Sequence, residues 1–247
     1  MKILDHLKSE WFRYGFETLA VVVGILMAFA LDRWNDTRQE RILEKEYLTS
    51  IAGELQDNIQ EALFQKGFSE FQQKNGELIL HLLADTIGIN NADLAIAIEH
   101  IGWNHKLNYI RDVWDELYAT GNIEIITNQD LKNRLSKLYR SMEASRKFEE
   151  LEWMNYNLGI RRIIGEILPP EIRLYISSHL TPIAYSGGVG IKLPSTGDML
   201  EGLKKLEGLN GYLSDIIMAR KASQSFLSAE IEEMREIIDL LVDELNR

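Results

Sequence analysis

Hydrophobic and polar positions along this 247-residue chain fall into distinct regimes. Between Arg13 and Asp32 lie eighteen residues of which only Glu17 is charged, and Thr18 to Leu31 shows no polar face. At 1.5 Å per residue such a helix covers roughly 27 Å, close to the roughly 30 Å hydrocarbon core of a bilayer. Beyond Asp32 the pattern turns amphipathic, with Leu48, Ile51, Leu55, Ile59 and Leu63 at three- and four-residue steps among charged and amide side chains. No breaker separates the two regimes. The pattern predicts a transmembrane helix over 14–34, preceded by a tail over 1–13, that runs directly into a long amphipathic helix over about 35–74.

Shorter periodic pieces follow. Glu77 to Ile87 is apolar and ends near Gly88, and Asn91 is placed to cap a segment running to about Ile101. Asp112 to Thr120 sets Trp114, Leu117 and Tyr118 on one face, with Gly121 as a stop. Thr127, with Asp130 three residues on, opens a second long helix over about 128–168 whose stripe is Leu131, Leu135, Leu138 and Met142, leading on through Trp153. All four prolines, Pro169, Pro170, Pro182 and Pro194, share one window with Gly187, Gly188 and Gly190, which predicts an irregular connection over 169–197. Ser195 with Asp198 restarts helix, Gly208 and Gly211 interrupt it, and a last helix over about 213–247 carries Ile216, Ile217, Phe226, Leu227, Ile231, Met234, Ile238, Leu241 and Leu245. No segment sustains period-2 alternation. The expected fold is all-α: a membrane helix, its amphipathic extension, and an antiparallel helical bundle with several short helices, making a soluble helical domain over 35–247.

The apolar segment has two rival readings. Ala28-Phe29-Ala30 fits a signal-peptidase pattern, although Asp5, Glu10 and Glu17 sit where a signal peptide carries net positive charge; a buried core helix would show a polar face. A retained span fits better, with Trp11 and Tyr14 at one boundary and Trp34 at the other as interface anchors. At 100° per residue Glu17, Gly24, Ala28 and Asn35 fall within about 20° of one line, flanked by Ala20. Ala20, Gly24 and Ala28 form a doubled small-xxx-small pattern that lets two helices approach closely in lipid. Glu17 shares that face, and three roles are open to it. It can reach the headgroups or pair with Arg13, bond to a neighbouring subunit, or relay protons or ions.

Composition narrows the chemistry. The net charge of -11 argues against nucleic acid as a partner, since phosphate binders show a basic face. Absence of cysteine removes disulfides, thiolate nucleophiles and thiolate metal sites. The five histidines, His6, His81, His100, His105 and His179, lack the spacings of helical zinc or di-iron sites. No Gly-Lys-Ser/Thr phosphate loop occurs, and Ser186 to Gly190 lacks the strand and spacing of a dinucleotide loop. The run "EEMREIIDLLVDEL" reads as a solvated helix face, and Trp103, Tyr109, Trp114 and Tyr118 read as core rather than a ligand cage. Arg146-Lys147 and Arg161-Arg162 meet anionic headgroups only if the second long helix folds back to the membrane. No catalytic, cofactor-binding or metal-binding residue is expected.

The N-terminal "LAVVVGILMAFALDRWND" after Glu17, with Arg38, Glu44 and Tyr47-Leu48, resembles a family of uncharacterised bacterial single-span membrane proteins. The stretch "WDELYATGNIEIITNQDLKNRLSKLY", ending at Tyr139, resembles the same family. The resemblance implies a bacterial inner-membrane protein with a cytoplasmic N-terminus and a periplasmic domain, and marks Glu17, Gly24, Trp34 and Asn35 as a membrane signature. The tail is less basic than the family's, and Lys2, Lys8 and Arg13 are balanced by Arg33, Arg38, Arg41 and Lys45, so charge alone does not set the orientation.

Three functions remain in view. The first is a non-enzymatic, membrane-anchored scaffold that self-associates through the span, with the bilayer, a second copy and an unidentified protein as partners. The second is a homo-oligomeric channel or transport subunit with Glu17 in its polar path. The third is a ligand-sensing helical domain on a membrane anchor.

Overall fold

A computed structural model describes residues 2–84, 88–103, 105–152, 154, 158–178 and 193–246. Helices and one short 3-10 turn are the regular elements among the described residues, and no strand occurs there. The helices are α1 (Lys2–Leu83), α2 (Asn91–Ile101), α3 (Asp112–Ala119), α4 (Gln129–Glu152), α5 (Leu158–Ile167), α6 (Pro170–Ser178), α7 (Thr196–Lys204) and α8 (Leu209–Leu245).

The span region and its extension form a single helix, α1, that is longer than the periodicity predicts. It passes through Asn75 and Gly76, where a break was expected, and ends at Leu83. The reason lies in α8: a Cβ at position 76 would stand 3.0 Å from Ile217 Cγ1, so glycine here admits a neighbouring helix rather than ending its own. The second long helix is shorter than 128–168, being α4 followed by α5; Trp153 lies outside the described residues. The expected loop over 169–197 contains α6, which starts on Pro170, a residue well suited to a first helical turn because its missing N–H has no intrahelical partner there. His179, Pro182, Ser186, Gly187, Gly188 and Gly190 lie outside the described residues. The last helix begins at Leu209 and takes in Gly211, while Gly208 holds the left-handed conformation before it (φ +78°).

Two caps differ in detail from expectation. Asn90, not Asn91, caps α2 by accepting from Asp93 N, and Asn91 instead accepts from Thr196 N. Asn128, not Thr127, accepts from Leu131 N at the start of α4. Thr127 donates its N–H and hydroxyl to Glu44 Oε1 on α1. Ser195 does accept from Asp198 N, and Gly121 does adopt positive φ after α3 (+75°).

Cross-links between helices give the directions. Arg41 on α1 reaches Glu244 near the C-terminal end of α8, and Lys221 on α8 meets Glu77 far along α1, so these two helices are antiparallel. Arg134 meets Glu233 and Glu149 meets Arg220, so α4 and α8 are antiparallel too. Consequently α4 runs in the same direction as α1. The chain between them makes that possible by descending along α1: Glu61 accepts from Asn108 N, Asn58 pairs with the backbone of Ile110, and Glu54 accepts from Val113 N.

Two apolar cores result. One gathers Leu48, Ile51, Leu55, Trp114, Leu135 and Met234 around the middle of α1. The other gathers Ile79, Leu94, Ile98, Ile164, Met199 and Leu213 around its end. On α8, Ile237 is buried while Phe226 faces outward; Glu244 lies within the interior instead of on the expected solvated face, and Glu230, ahead of that run, is buried too. Tyr118 of α3 is likewise exposed.

Candidate functional site

Two regions stand out from the packed bundle. The first is the free end of α1. Its apolar window is the one stretch among the described residues long and apolar enough to cross a membrane, and none of that window is buried within the chain. Phe16, Leu26, Phe29 and Leu31 are all at least 60% exposed. Continuous helix puts Glu17, Ala20, Gly24, Ala28 and Asn35 on one face, and a Cβ at Gly24 would meet nothing within 4 Å. Trp34 lies at the end of this window with the Arg38 guanidinium 5.9 Å from its ring centre. The side chains of Trp11 and Tyr14 lie outside the described ones.

The second region separates the two apolar cores. The inward stripe of α1 continues at three- and four-residue steps through Gln65, Ser69 and Gln72, yet here its occupants are polar and fully buried. They meet Glu149 of α4 and Arg220 and Ser223 of α8. Glu149 Oε2 accepts from Gln65 Nε2 (3.1 Å) and Arg220 Nη1 (3.0 Å), and its other oxygen accepts from Ser223. A buried carboxylate with this many donors is compensated in charge and hydrogen bonding. Gln72 donates to the carbonyls of His100 and Trp103. His100 packs its ring edge-on against Trp103 (4.3 Å between centres) and beside Phe71 (5.1 Å). Burial pushes this imidazole down to about 4, so it is neutral at physiological pH.

The layer is not fully satisfied. Gln65 Oε1, Gln72 Oε1, Asn75 Nδ2, both His100 ring nitrogens and Arg220 Nε are buried without a hydrogen-bond partner among the described residues. Leaving such a group unpaired costs about 1–3 kcal/mol, so a cluster of them is unusual. In front of the layer opens a cavity of about 470 Å³, within the size range of small-molecule sites. Its wall is formed by Trp103, Lys106 and Leu107 on one side, Arg146, Glu149 and Glu150 from α4, and Arg161 from α5.

The sequence did not single out this layer. Its residues lie on the expected helices, but Gln65, Ser69 and Gln72 look like ordinary surface polars of an amphipathic helix. The available signal was a one-position shift: the large apolar residues Phe64, Phe68 and Phe71 each stand one place before Gln65, Ser69 and Gln72, and in the structure Ala62, not Leu63, is the buried residue ahead of them. Of the aromatic set expected in the core, Trp114 stacks on Tyr139 (4.7 Å, planes 9° apart), whereas Trp103 stands apart at the cavity. Arg146 and Arg161 line this cavity, at the level of Gln65, roughly 45 Å along α1 from Trp34 at 1.5 Å per residue. Folding of α4 back toward the apolar end of α1, the condition for these cations to reach headgroups, does not occur. No group of three His, Asp or Glu is placed to hold a metal ion among the described residues.

Fold and site together define the class: an all-helical protein whose longest helix carries an uncovered apolar segment of membrane-spanning length. No protein-family model, curated protein or solved structure matches this chain.

Proposed function

We propose that this chain is a membrane-anchored, non-enzymatic interaction protein of the bacterial inner membrane that self-associates through residues 14–34 and holds its helical domain in the periplasm. The observation that carries the reading is the uncovered apolar window of α1. Burying one large apolar side chain is worth about 1.5–3 kcal/mol, and Phe16 through Leu31 carry many with no partner in the fold, so lipid is their natural solvent. The face bearing Ala20, Gly24 and Ala28 suits close approach by a second helix, with Glu17 beside it where a polar group avoids acyl chains. The unbroken helix from span to domain supports a scaffold, because it transmits the orientation of the membrane helix rigidly to the bundle.

Because the chain has no cysteine, Gly24→Cys or Ala28→Cys introduces a single thiol. Oxidation in native membranes is expected to give a disulfide-linked dimer from either variant and much less from Val22→Cys on another face. A protein that stays monomeric in all three, or leaves the membrane in alkaline carbonate, removes the proposal.

A further inference from the structure

We propose that the cavity between α4, α5 and the residues Trp103, Lys106 and Leu107 binds a small organic anion with an aromatic or apolar body, its acid group held by Arg161 and Lys106. The charge bookkeeping of the wall sets the sign. Glu149 is already saturated by Arg220, Gln65 and Ser223, and Arg146 is taken by Glu143 (2.9 Å) with Glu150 close by (3.6 Å). Arg161 and Lys106 have no carboxylate partner among the described residues, and with three cations against two carboxylates the wall carries a net positive charge in a chain of net charge -11. A guanidinium and an ammonium converging on one hollow suit a carboxylate or sulfonate.

Arg161 is also placed. Gly102 ends α2, and a Cβ there would come within 2.8 Å of Ile164 Cδ1 and 3.2 Å of Arg161 Cγ. Glycine thus lets α5 press against the turn and sets the arginine stem at the rim. Trp103 and buried Leu107 supply the apolar wall, and Trp103 is itself held by its indole N–H to Glu99 (3.3 Å). A pocket that is mostly apolar with a few convergent polar groups is the usual form of a small-molecule site.

The test uses the full chain in phosphatidylcholine nanodiscs, with benzoate as probe and benzylamine as its cationic counterpart, read by saturation-transfer NMR against empty nanodiscs. Saturable benzoate binding is expected, with none for benzylamine. Arg161 and Lys106 are solvent-exposed, so Arg161→Gln and Lys106→Gln leave the fold intact, which circular dichroism checks. Each is expected to weaken benzoate binding at least tenfold. No saturable benzoate signal, equal binding of benzylamine, or undiminished binding by the double variant overturns the proposal. Self-association through the span is read separately by the thiol crosslinks, so either idea can fail alone.

Discussion

Individual buried residues carry the pH response of this protein. His100 is 5% exposed, and burial lowers its pKa from 6.5 to about 4. Between those values the unfolded chain binds the proton more readily, so the stability His100 contributes is present above pH 6.5 and is lost as pH falls toward 4. The loss is on the order of 3 kcal/mol, at 1.36 kcal/mol per pKa unit. Since neither ring nitrogen has a partner and the ring packs on aromatics, His100→Phe is expected to fold as well as the native chain at pH 7 and to flatten urea midpoints between pH 6.5 and 4. A variant that keeps the native acid slope refutes this. Glu54 behaves oppositely. Burial raises its pKa, while the Tyr139 hydroxyl and Val113 N–H bonded to it pull the value partly back. A carboxyl raised on folding loses stability as pH rises through its folded pKa. Tyr139→Phe removes one restraint, so its stability should fall by about 1–3 kcal/mol at pH 7 and decline more steeply than the native protein's above the usual carboxylate range. Equal slopes in parallel denaturation series would count against it.

At the scale of elements, α1 organises the domain by offering carboxylates and amides to backbone ends. Glu44 accepts from Thr127 just ahead of α4 and from Arg41 on its own helix, and Glu54 serves the first turn of α3. Negative charge at a helix N-terminus is favoured by the aligned peptide dipoles. Glu44→Ala strands the Thr127 N–H and weakens the tie that links α1, the α4 start and Glu244. Its cost is expected to be about 2–4 kcal/mol, measured as a lower thermal midpoint of the domain. Thr37 lies between the uncovered window and Glu44, the first buried residue beyond that window. Thr37→Pro should kink α1 there at about 3 kcal/mol of local helix cost while leaving the bundle's midpoint nearly unchanged. A large fall in that midpoint would show that the two parts of α1 are energetically inseparable.

For the molecule as a whole, the decisive feature is that two apolar cores are joined through a polar layer and not merged into one. The Glu149–Arg220 pair sits at that junction, both groups almost fully buried. Glu149→Gln leaves Arg220 an uncompensated buried charge, and about 3–5 kcal/mol of destabilisation is expected in equilibrium unfolding. Replacing both partners by apolar residues, Glu149→Leu with Arg220→Met, should recover most of that loss. Failure of the double replacement to improve on Glu149→Gln would mean the pair is required for the fold and not merely tolerated.

How much of this was legible beforehand depended on range. Periodicity located the helices because a 3.6-residue repeat is a local property, and Ser195, Gly121 and the apolar stripe of α4 read correctly for the same reason. Helix ends were less legible. Gly76 looks like a breaker until Ile217 is seen against it, and Thr127 looks like a cap until Glu44, 83 residues away, takes its donors. The seam of Glu17, Ala20, Gly24, Ala28 and Asn35 follows from helical geometry alone. The cavity does not, since Trp103, Glu149 and Arg161 approach one another only through packing.

The sequence by itself determined that the chain is all-helical and that one segment is long and apolar enough to cross a bilayer, because hydrophobic spacing and run length are written residue by residue. Only the tertiary structure decided that α4 runs alongside α1 in the same direction, that charged and amide groups form an interior layer, and that two unpaired cations share a hollow. Those outcomes depend on which side chains meet across long stretches of chain, and burial and charge compensation exist only once they have met.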